Sequence, residues 1–247
     1  MSAAPAVGPL LGLVLLALTA VAALLARLGG LGLAREVVVA AARATAQLTV
    51  VSLLITAVLG SAGWTAAFIA GMVGVAALTA GRRVSAPPWW TALPIVAGVV
   101  PVLALLLGST LVPLRPVAVL PIAGILIGGA MTATALAGRR ALDELRTRRG
   151  EYEGGLALGL MPRDAALEVC RPAVALALVP VLDQTRTVGL VTLPGAFVGV
   201  LLGGADPVQA GATQLLVLIG LLAIESAAVL ITLELAATGR LGGVAHR

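Results

Sequence analysis

The sequence predicts an all-α, polytopic integral membrane protein, a bundle of about seven transmembrane helices in one domain over residues 1–247. Sixty per cent of the residues are hydrophobic and 11% are charged, with a mean hydropathy of +1.11, whereas a soluble domain carries about 25% charged residues. The apolar runs are roughly 18–25 residues long, enough to cross a hydrocarbon core of about 30 Å. Because helices satisfy their own backbone polar groups in lipid, helical spans follow from this hydropathy.

The first three apolar runs are separated by arginines and by one short uncharged turn. The first covers about 9–26 and lacks a positively charged leader, so we expect a retained span rather than a signal peptide. The second covers about 37–59 and carries Arg43 and Gln47 one helical turn apart, so that face is expected to point into protein. The third covers about 64–80 and ends at a pair of arginines.

Four more runs follow. The fourth, about 91–108, contains two prolines and is expected to be kinked. The fifth covers about 117–137, the sixth about 173–193 and the seventh about 213–237. A glycine-rich apolar piece, 195–204, is compatible with either a re-entrant segment or a helix at the outer surface.

The arginines predict the orientation of these spans. All 16 basic residues are arginines, and Arg115 alone lies in the even-numbered connections, while Arg240 and Arg247 follow the last run. The connections after the odd-numbered runs hold Arg27, Arg35, Arg82, Arg83, Arg139, Arg140, Arg146, Arg148, Arg149, Arg163 and Arg171. Since cytoplasmic loops carry the excess of arginine, we expect the N-terminus outside, the C-terminus in the cytoplasm, and a multi-pass protein of the plasma membrane.

Several function classes lack the residues they need. Aromatic residues make up 2% of the chain, too few to stack nucleic-acid bases. The sequence has one cysteine, Cys170, and one histidine, His246, which excludes an internal disulfide and a multi-thiolate or His-rich metal centre within one chain. The absence of lysine excludes a P-loop. We therefore predict no catalytic residue and no cofactor in this chain, so that any ATP must be bound by a partner subunit; a metal site stays unknown.

One sizeable hydrophilic segment, residues 138–172, interrupts the apolar pattern. Pro162 with Asp164 two residues later indicates a helix start, where proline fits the first turn and an acid meets the positive end of the dipole. The segment is expected to form a short helix, a glycine turn and a second helix at the cytoplasmic surface. The alternative is a solvated loop with no partner.

The spacing within this segment resembles the cytoplasmic coupling loop of ABC importer permeases. That loop has the form Glu-Ala-Ala-x3-Gly-x9-Ile-x-Leu-Pro. In this chain glycine replaces both alanines, valine replaces the isoleucine and arginine replaces the leucine. In such permeases the loop docks in a cleft of the ATPase subunit and passes on its closure. The resemblance implies coupling residues Glu153, Gly154, Gly155, Gly159, Val169 and Pro172, and we add Glu151 and Pro162 of the same segment to the predicted coupling loop.

Further stretches resemble the FetB-like family of ABC permeases, which includes a bacterial iron exporter and plant relatives linked to aluminium tolerance. The matching stretches are Ala42–Leu48, Pro121–Met131, Pro180–Gly195 and Gly203–Pro207. The resemblance implies a homodimeric permease that binds two ATPase subunits and exports iron or a related metal cation. Two departures bear on the cargo: Gly129 stands where the family usually has asparagine, and the residues after Gly195 are more apolar than the family pattern.

Polar residues inside the spans are candidates for the translocation path. Asp183 and Arg186 share one helical face, and Asp183 is expected about eleven residues, roughly 16 Å, into its span. They either line the path or form a buried pair that locks the bundle. Glu225 is expected near the middle of the last span, where a lone carboxylate is costly. Three roles are open for it: contact with a cation, an ion pair with Arg43 or Arg186, or a protonated carboxyl group. Together the candidates are Arg43, Gln47, Met131, Asp183, Arg186 and Glu225, with packing as the alternative role of Arg43, Gln47 and Met131.

Two functions of other classes compete with an ABC permease. An ion-coupled secondary transporter would use Asp183 and Glu225 and would treat residues 138–172 as a linker. A membrane-embedded enzyme would need clustered histidines, paired aspartates or a serine–lysine set within the spans, and the composition offers little of these. Co-purification with an ATPase subunit distinguishes the first of these rivals from the permease.

Overall fold

The computed structural model of the chain describes residues 8–242, so His246 and Arg247 lie outside the described residues. Over this range the chain is almost wholly helical, and its β-structure is an isolated bridge between Val188 and Thr192. Seven helical segments are long and apolar enough to cross a membrane. The predicted all-α bundle of about seven spans is therefore confirmed. Residues divide into two compact units, Met1–Gly60 and Ser61–Arg247.

Residues 8–60 of the first unit form two helices, α1 (Pro9–Leu28) and α2 (Ala34–Leu59), which pack against each other. Pro9 opens α1, where its missing N–H and fixed φ fit the first helical turn. The connection bends at Gly30 (φ +64°) and Gly32 (φ +70°), a backbone region that glycine adopts without strain. Most leucines of these helices are exposed, as expected of side chains that face lipid.

Residues 61–242, the described part of the second unit, form eight α-helices. Prolines open four of them, and the Asp206 carboxylate caps the last by accepting hydrogen bonds from the backbone N–H groups of Val208 (2.8 Å) and Gln209 (3.1 Å). The helices are α3 (Ala62–Val84), α4 (Pro88–Gly108), α5 (Pro116–Thr147), α6 (Arg149–Ala157), α7 (Pro162–Ala175), α8 (Val179–Thr187), α9 (Gly195–Leu202) and α10 (Pro207–Ala237).

The longest helices, α5 and α10, pack together at the centre of this unit, with α3 and α4 against them. The approach of α4 to α10 depends on Gly98, because a Cβ atom there would lie 3.0 Å from the backbone oxygen of Ile224. Ile224 and Leu126 are fully buried at this level of the core. Small residues therefore set the distance between these helices, as is typical of helix packing in membranes.

The structure corrects the bounds of the fifth and sixth spans. Helix α5 continues to Thr147, about ten residues beyond the predicted end of its apolar run. The sixth helical segment begins at Pro162 rather than at Ala173, passes through a 3-10 turn at Leu176–Leu178, and ends at Thr187 rather than near Leu193. Hydropathy misses these extensions because they are amphipathic, and one apolar face of each is buried against the other.

The glycine-rich piece after the sixth span forms the short helix α9, which contacts α10. Its eight residues extend about 12 Å at 1.5 Å per residue, too short to cross a membrane. The count of seven spans therefore stands without it.

Candidate functional site

The α6–α7 segment, residues 149–175, forms the predicted helix, glycine turn and second helix. Gly159 ends the first helix with φ +93°, and the N–H of Leu160 donates to the carbonyl of Gly155 (3.0 Å). Gly155 allows the two helices to touch, because a Cβ atom on it would lie 3.2 Å from the Cβ of Ala165. Met161 precedes the first turn of α7, so the predicted start at Pro162 is confirmed. The segment is a packed element rather than a loose loop.

Arg148, between α5 and α6, joins three parts of this region. Its Nη1 atom donates to the Val169 carbonyl in α7 (3.2 Å) and approaches Glu144 of α5 (3.5 Å). Its other guanidinium nitrogens hydrogen-bond both carboxylate oxygens of Glu151 in α6. The hydrogen bond from Arg148 holds the pKa of the Glu151 carboxyl below its ordinary value. One side chain thus holds the end of α5, the start of α6 and the middle of α7 together.

Helix α7 packs its apolar face on the extension of α5. Leu167 and Cys170 are buried there, and the Cys170 thiol donates to the carbonyl of Ala141 at a sulfur–oxygen distance of 3.5 Å. Val169 is also buried. Pro172 lies within α7 on its exposed side. Of the predicted coupling residues, Val169 therefore serves packing, while Pro172 faces outward.

A second ion pair joins α7 to the last span. Arg163 Nε lies 2.5 Å from Glu234 Oε1 and Arg163 Nη2 lies 2.8 Å from Glu234 Oε2, and Nη1 also reaches Asp164 at 2.9 Å. Both oxygens of Glu234 are therefore engaged by a planar guanidinium, the geometry that arginine offers to carboxylates. The start of α7 is fixed to the end of α10.

The turn between α6 and α7 exposes apolar side chains. Leu158 is 88% exposed and Met161 is 69% exposed. Glu153, paired with Arg149 at 2.8 Å, and Gly154 are exposed beside them. A well-anchored element with an apolar, solvent-facing tip is suited to bind another protein.

A cavity of about 950 Å³ lies at the other end of the second unit, between the first half of α5 and the start of α10. Its wall is mostly apolar, with polar side chains from Gln184, Thr213 and Gln214. Gln214 is 5% exposed, and its Oε1 atom has no hydrogen-bond partner in the described part of the chain. An apolar cleft with a few polar groups is the usual form of a small-molecule site.

Glu225 lies one helical turn further along α10 than Leu221, which lines this cavity. Its side chain is 9% exposed. A Cβ atom on Gly129 would lie 2.7 Å from Glu225 Oε1 and 2.5 Å from Leu221 Cδ2. Both side chains thus reach into the space above a glycine of α5.

The other path candidates do not join Glu225 in one cluster within the second unit. Asp183 and Arg186 form an ion pair at 3.4 Å, but their side chains are 60% and 71% exposed. The expected depth of Asp183 is wrong, because its helix ends at Thr187, four residues later. Met131 is partly buried against the core. In the first unit, Arg43 and Gln47 are exposed on α2.

Comparison with known proteins decides the family. The model of the uncharacterised protein family UPF0014 matches residues 10–239. The chain belongs to the UPF0014 family. It is 37% identical over 193 residues to the UPF0014 membrane protein STAR2 of Oryza sativa subsp. japonica, covering 76% of this chain and 68% of the relative. It is 35% identical to the Arabidopsis thaliana Protein ALUMINUM SENSITIVE 3, covering 76% of this chain and 71% of the relative.

A bacterial UPF0014 relative carries a name that states a function. The chain is 35% identical to the probable iron export permease protein FetB of Escherichia coli over 129 residues, 52% of this chain and 50% of that protein. No solved structure matches the chain. Together with the seven apolar helices, membership of UPF0014 shows a multi-pass membrane protein.

Sequence reasoning missed the residues that fasten the α6–α7 segment. Arg148, Glu144, Arg163 and Glu234 were not among the predicted site residues. The Arg148 contacts had a local signal, because Glu144 and Glu151 stand four and three residues away on helical turns. The Arg163–Glu234 pair spans 71 residues and had no such signal.

Proposed function

We propose that the chain is the membrane-spanning permease subunit of an ABC transporter, and that a separate ATPase subunit docks on the α6–α7 segment. The observation that carries the proposal is the exposed apolar tip of this segment, with Leu158 88% exposed, on an element fastened by Arg148 and Arg163. The spacing of Glu153, Gly159 and Pro172 supports the same role, because it follows that of permease coupling loops.

The contacts of α7 give the mechanical part of the proposal. Helix α7 runs through the 3-10 turn at Leu176–Leu178 into α8. Arg163 ties its first turn to the end of α10. Closure of the ATPase dimer would move α7, and the displacement would reach the sixth span through the backbone and the seventh through the ion pair. Such movement would switch the bundle between inward- and outward-facing states.

The cargo follows from the family and not from a built metal site. FetB is named a probable iron export permease, so we propose iron or a related metal cation, transported outward by a permease homodimer. The excess of arginine at the α6–α7 end supports a cytoplasmic location of that end, with the N-terminus outside. ATP would be hydrolysed by the partner subunits, since the chain has no lysine for a P-loop.

Co-purification tests the proposal. The tagged chain is co-expressed with each ABC ATPase of its source genome and solubilised in detergent, and retention of an ATPase is measured. We expect one ATPase to be retained, and Leu158→Glu to release it by placing a charge on the docking tip.

Leu190→Glu is the matched control, because Leu190 is also 88% exposed but follows the opposite end of the same helical segment. It should leave the complex intact. Retention of no ATPase by the wild-type chain would favour an ion-coupled secondary transporter that uses Asp183 and Glu225.

A further inference from the structure

Glu225 is a buried carboxylate without a partner among residues 61–242. It lies about 27 Å from the start and about 18 Å from the end of α10 at 1.5 Å per residue, and its side chain is 9% exposed. Within residues 61–242, neither an ion pair nor a hydrogen bond holds its oxygens. A carboxylate at such a depth is costly and is typical of ion pathways.

The carboxylate occupies a notch in α5 that exists because residue 129 is glycine. A Cβ atom on Gly129 would lie 2.7 Å from Glu225 Oε1, inside van der Waals contact. The neighbouring Gly128 has open space around its Cβ position, with nothing within 4 Å. The notch is therefore specific to Gly129, and any larger residue there would displace the carboxylate.

The notch lies next to the cavity of about 950 Å³. Leu221 lines that cavity and also reaches over Gly129, where a Cβ atom would lie 2.5 Å from Leu221 Cδ2. Of the cavity-lining residues on α10, Leu221 is the nearest to Glu225 along the helix, one turn away. On the same face of the cavity, Gln214 supplies a buried amide oxygen that has no hydrogen-bond partner among the described residues.

We propose that Glu225, in the notch of Gly129, is the carboxylate that a hard metal cation contacts as it crosses the bundle, and that the cavity with Gln214 is the chamber next to it. Carboxylate and amide oxygens are ligands that suit hard cations. A single carboxylate holds a cation weakly enough to release it, as a transport path requires. This assignment rests on the proposed transport of a metal cation.

The test uses the complete complex of permease and ATPase in proteoliposomes. ATPase activity and metal transport are measured with Fe²⁺ kept anaerobic, Mn²⁺ and Al³⁺, each supplied alone. Glu225→Gln keeps the shape of the side chain and removes its charge. We expect it to lower metal-stimulated ATPase activity and transport on the order of tenfold, the effect of one lost charge-assisted contact.

Two alanine variants keep the proposal falsifiable if Glu225→Gln does not fold. Gly129→Ala should lower metal transport because it displaces the carboxylate, whereas Gly128→Ala, with open space around it, should not. Equal transport by the Gly129→Ala and Gly128→Ala complexes would overturn the assignment.

The remaining outcomes separate this inference from the proposed function. Wild-type transport with an undiminished Glu225→Gln complex overturns the role of Glu225 and leaves the permease intact. If the wild-type complex contains the ATPase but none of the metals stimulates ATP hydrolysis or is transported, the proposal that the cargo is a metal cation is wrong.

Discussion

Arg163 at the start of α7 engages both carboxylate oxygens of Glu234 near the end of α10, across 71 residues of sequence. The pair is half exposed, with side chains 51% and 43% accessible, so its value for stability is small. Its position is more informative than its strength, because it is a direct link between the proposed docking segment and a membrane span. A link of this kind transmits displacement even where it contributes little to stability.

Breaking this link should uncouple the transporter without unfolding it. Glu234→Gln is expected to reduce ATPase-driven transport several-fold while the ATPase stays bound, since the docking tip at Leu158 is untouched. The measurement is transport per ATP hydrolysed in proteoliposomes. The exchange Arg163→Glu with Glu234→Arg rebuilds the pair in reverse and should recover much of the coupling. If the reversed pair transports no more per ATP than Glu234→Gln, the two residues do not act as a pair.

The turn between α6 and α7 should require glycine at position 159. Its φ of +93° is strained for other residues, so Gly159→Ala is expected to destabilise the segment by about 1–2 kcal/mol. Gly154→Ala is the matched control: it is helical, has open space, and should stabilise α6 by about 0.5–1 kcal/mol. Protease sensitivity of the segment in detergent measures both. A Gly159→Ala protein as resistant as wild type would contradict the turn geometry.

The contact between α4 and α10 should be intolerant of a single methyl group. In Gly98→Ala the new Cβ would meet the backbone oxygen of Ile224 at 3.0 Å, and backbone cannot rotate away. We expect a loss of about 1–3 kcal/mol in the free energy of unfolding. Gly108→Ala, on the same helix with nothing within 4 Å, should cause no such loss. Equal thermal unfolding midpoints for the two variants would count against this packing.

Cysteine labelling can test the predicted orientation without first removing the native thiol, because Cys170 is fully buried. Leu158→Cys should react with a membrane-impermeant maleimide when it is applied from the cytoplasmic side. Leu190→Cys should react when the reagent is applied from outside. The reverse pattern would show that the arginine distribution has been assigned to the wrong side.

Hydropathy and charge predicted the number of spans, the start of α7 and the glycine turn, because these depend on local features such as Pro162 and Gly159. They missed the helical extension of α5 and the continuity of α7 with α8. Those helices are stabilised by contacts between the two extensions, with Cys170 meeting Ala141 29 residues earlier. A window that averages hydropathy does not register an apolar stripe on a charged helix.

Averaged hydropathy also gave the wrong depth for a polar residue. Asp183 was placed deep in the sixth span because the apolar run continues to Leu193, whereas the helix ends at Thr187. Glu225 was recognised as an intramembrane acid, but its options could not be ranked from the sequence. Its relation to Gly129 became visible only when α5 and α10 were placed side by side.

Metal transport in proteoliposomes that contain the chain and its co-purified ATPase, measured with and without ATP, tests whether a separate ATPase drives transport through the α6–α7 segment. We expect ATP-dependent transport in the wild type and in Leu190→Glu, and none in Leu158→Glu. Transport that needs no ATP, follows an ion gradient and is equal in both variants would contradict this mechanism.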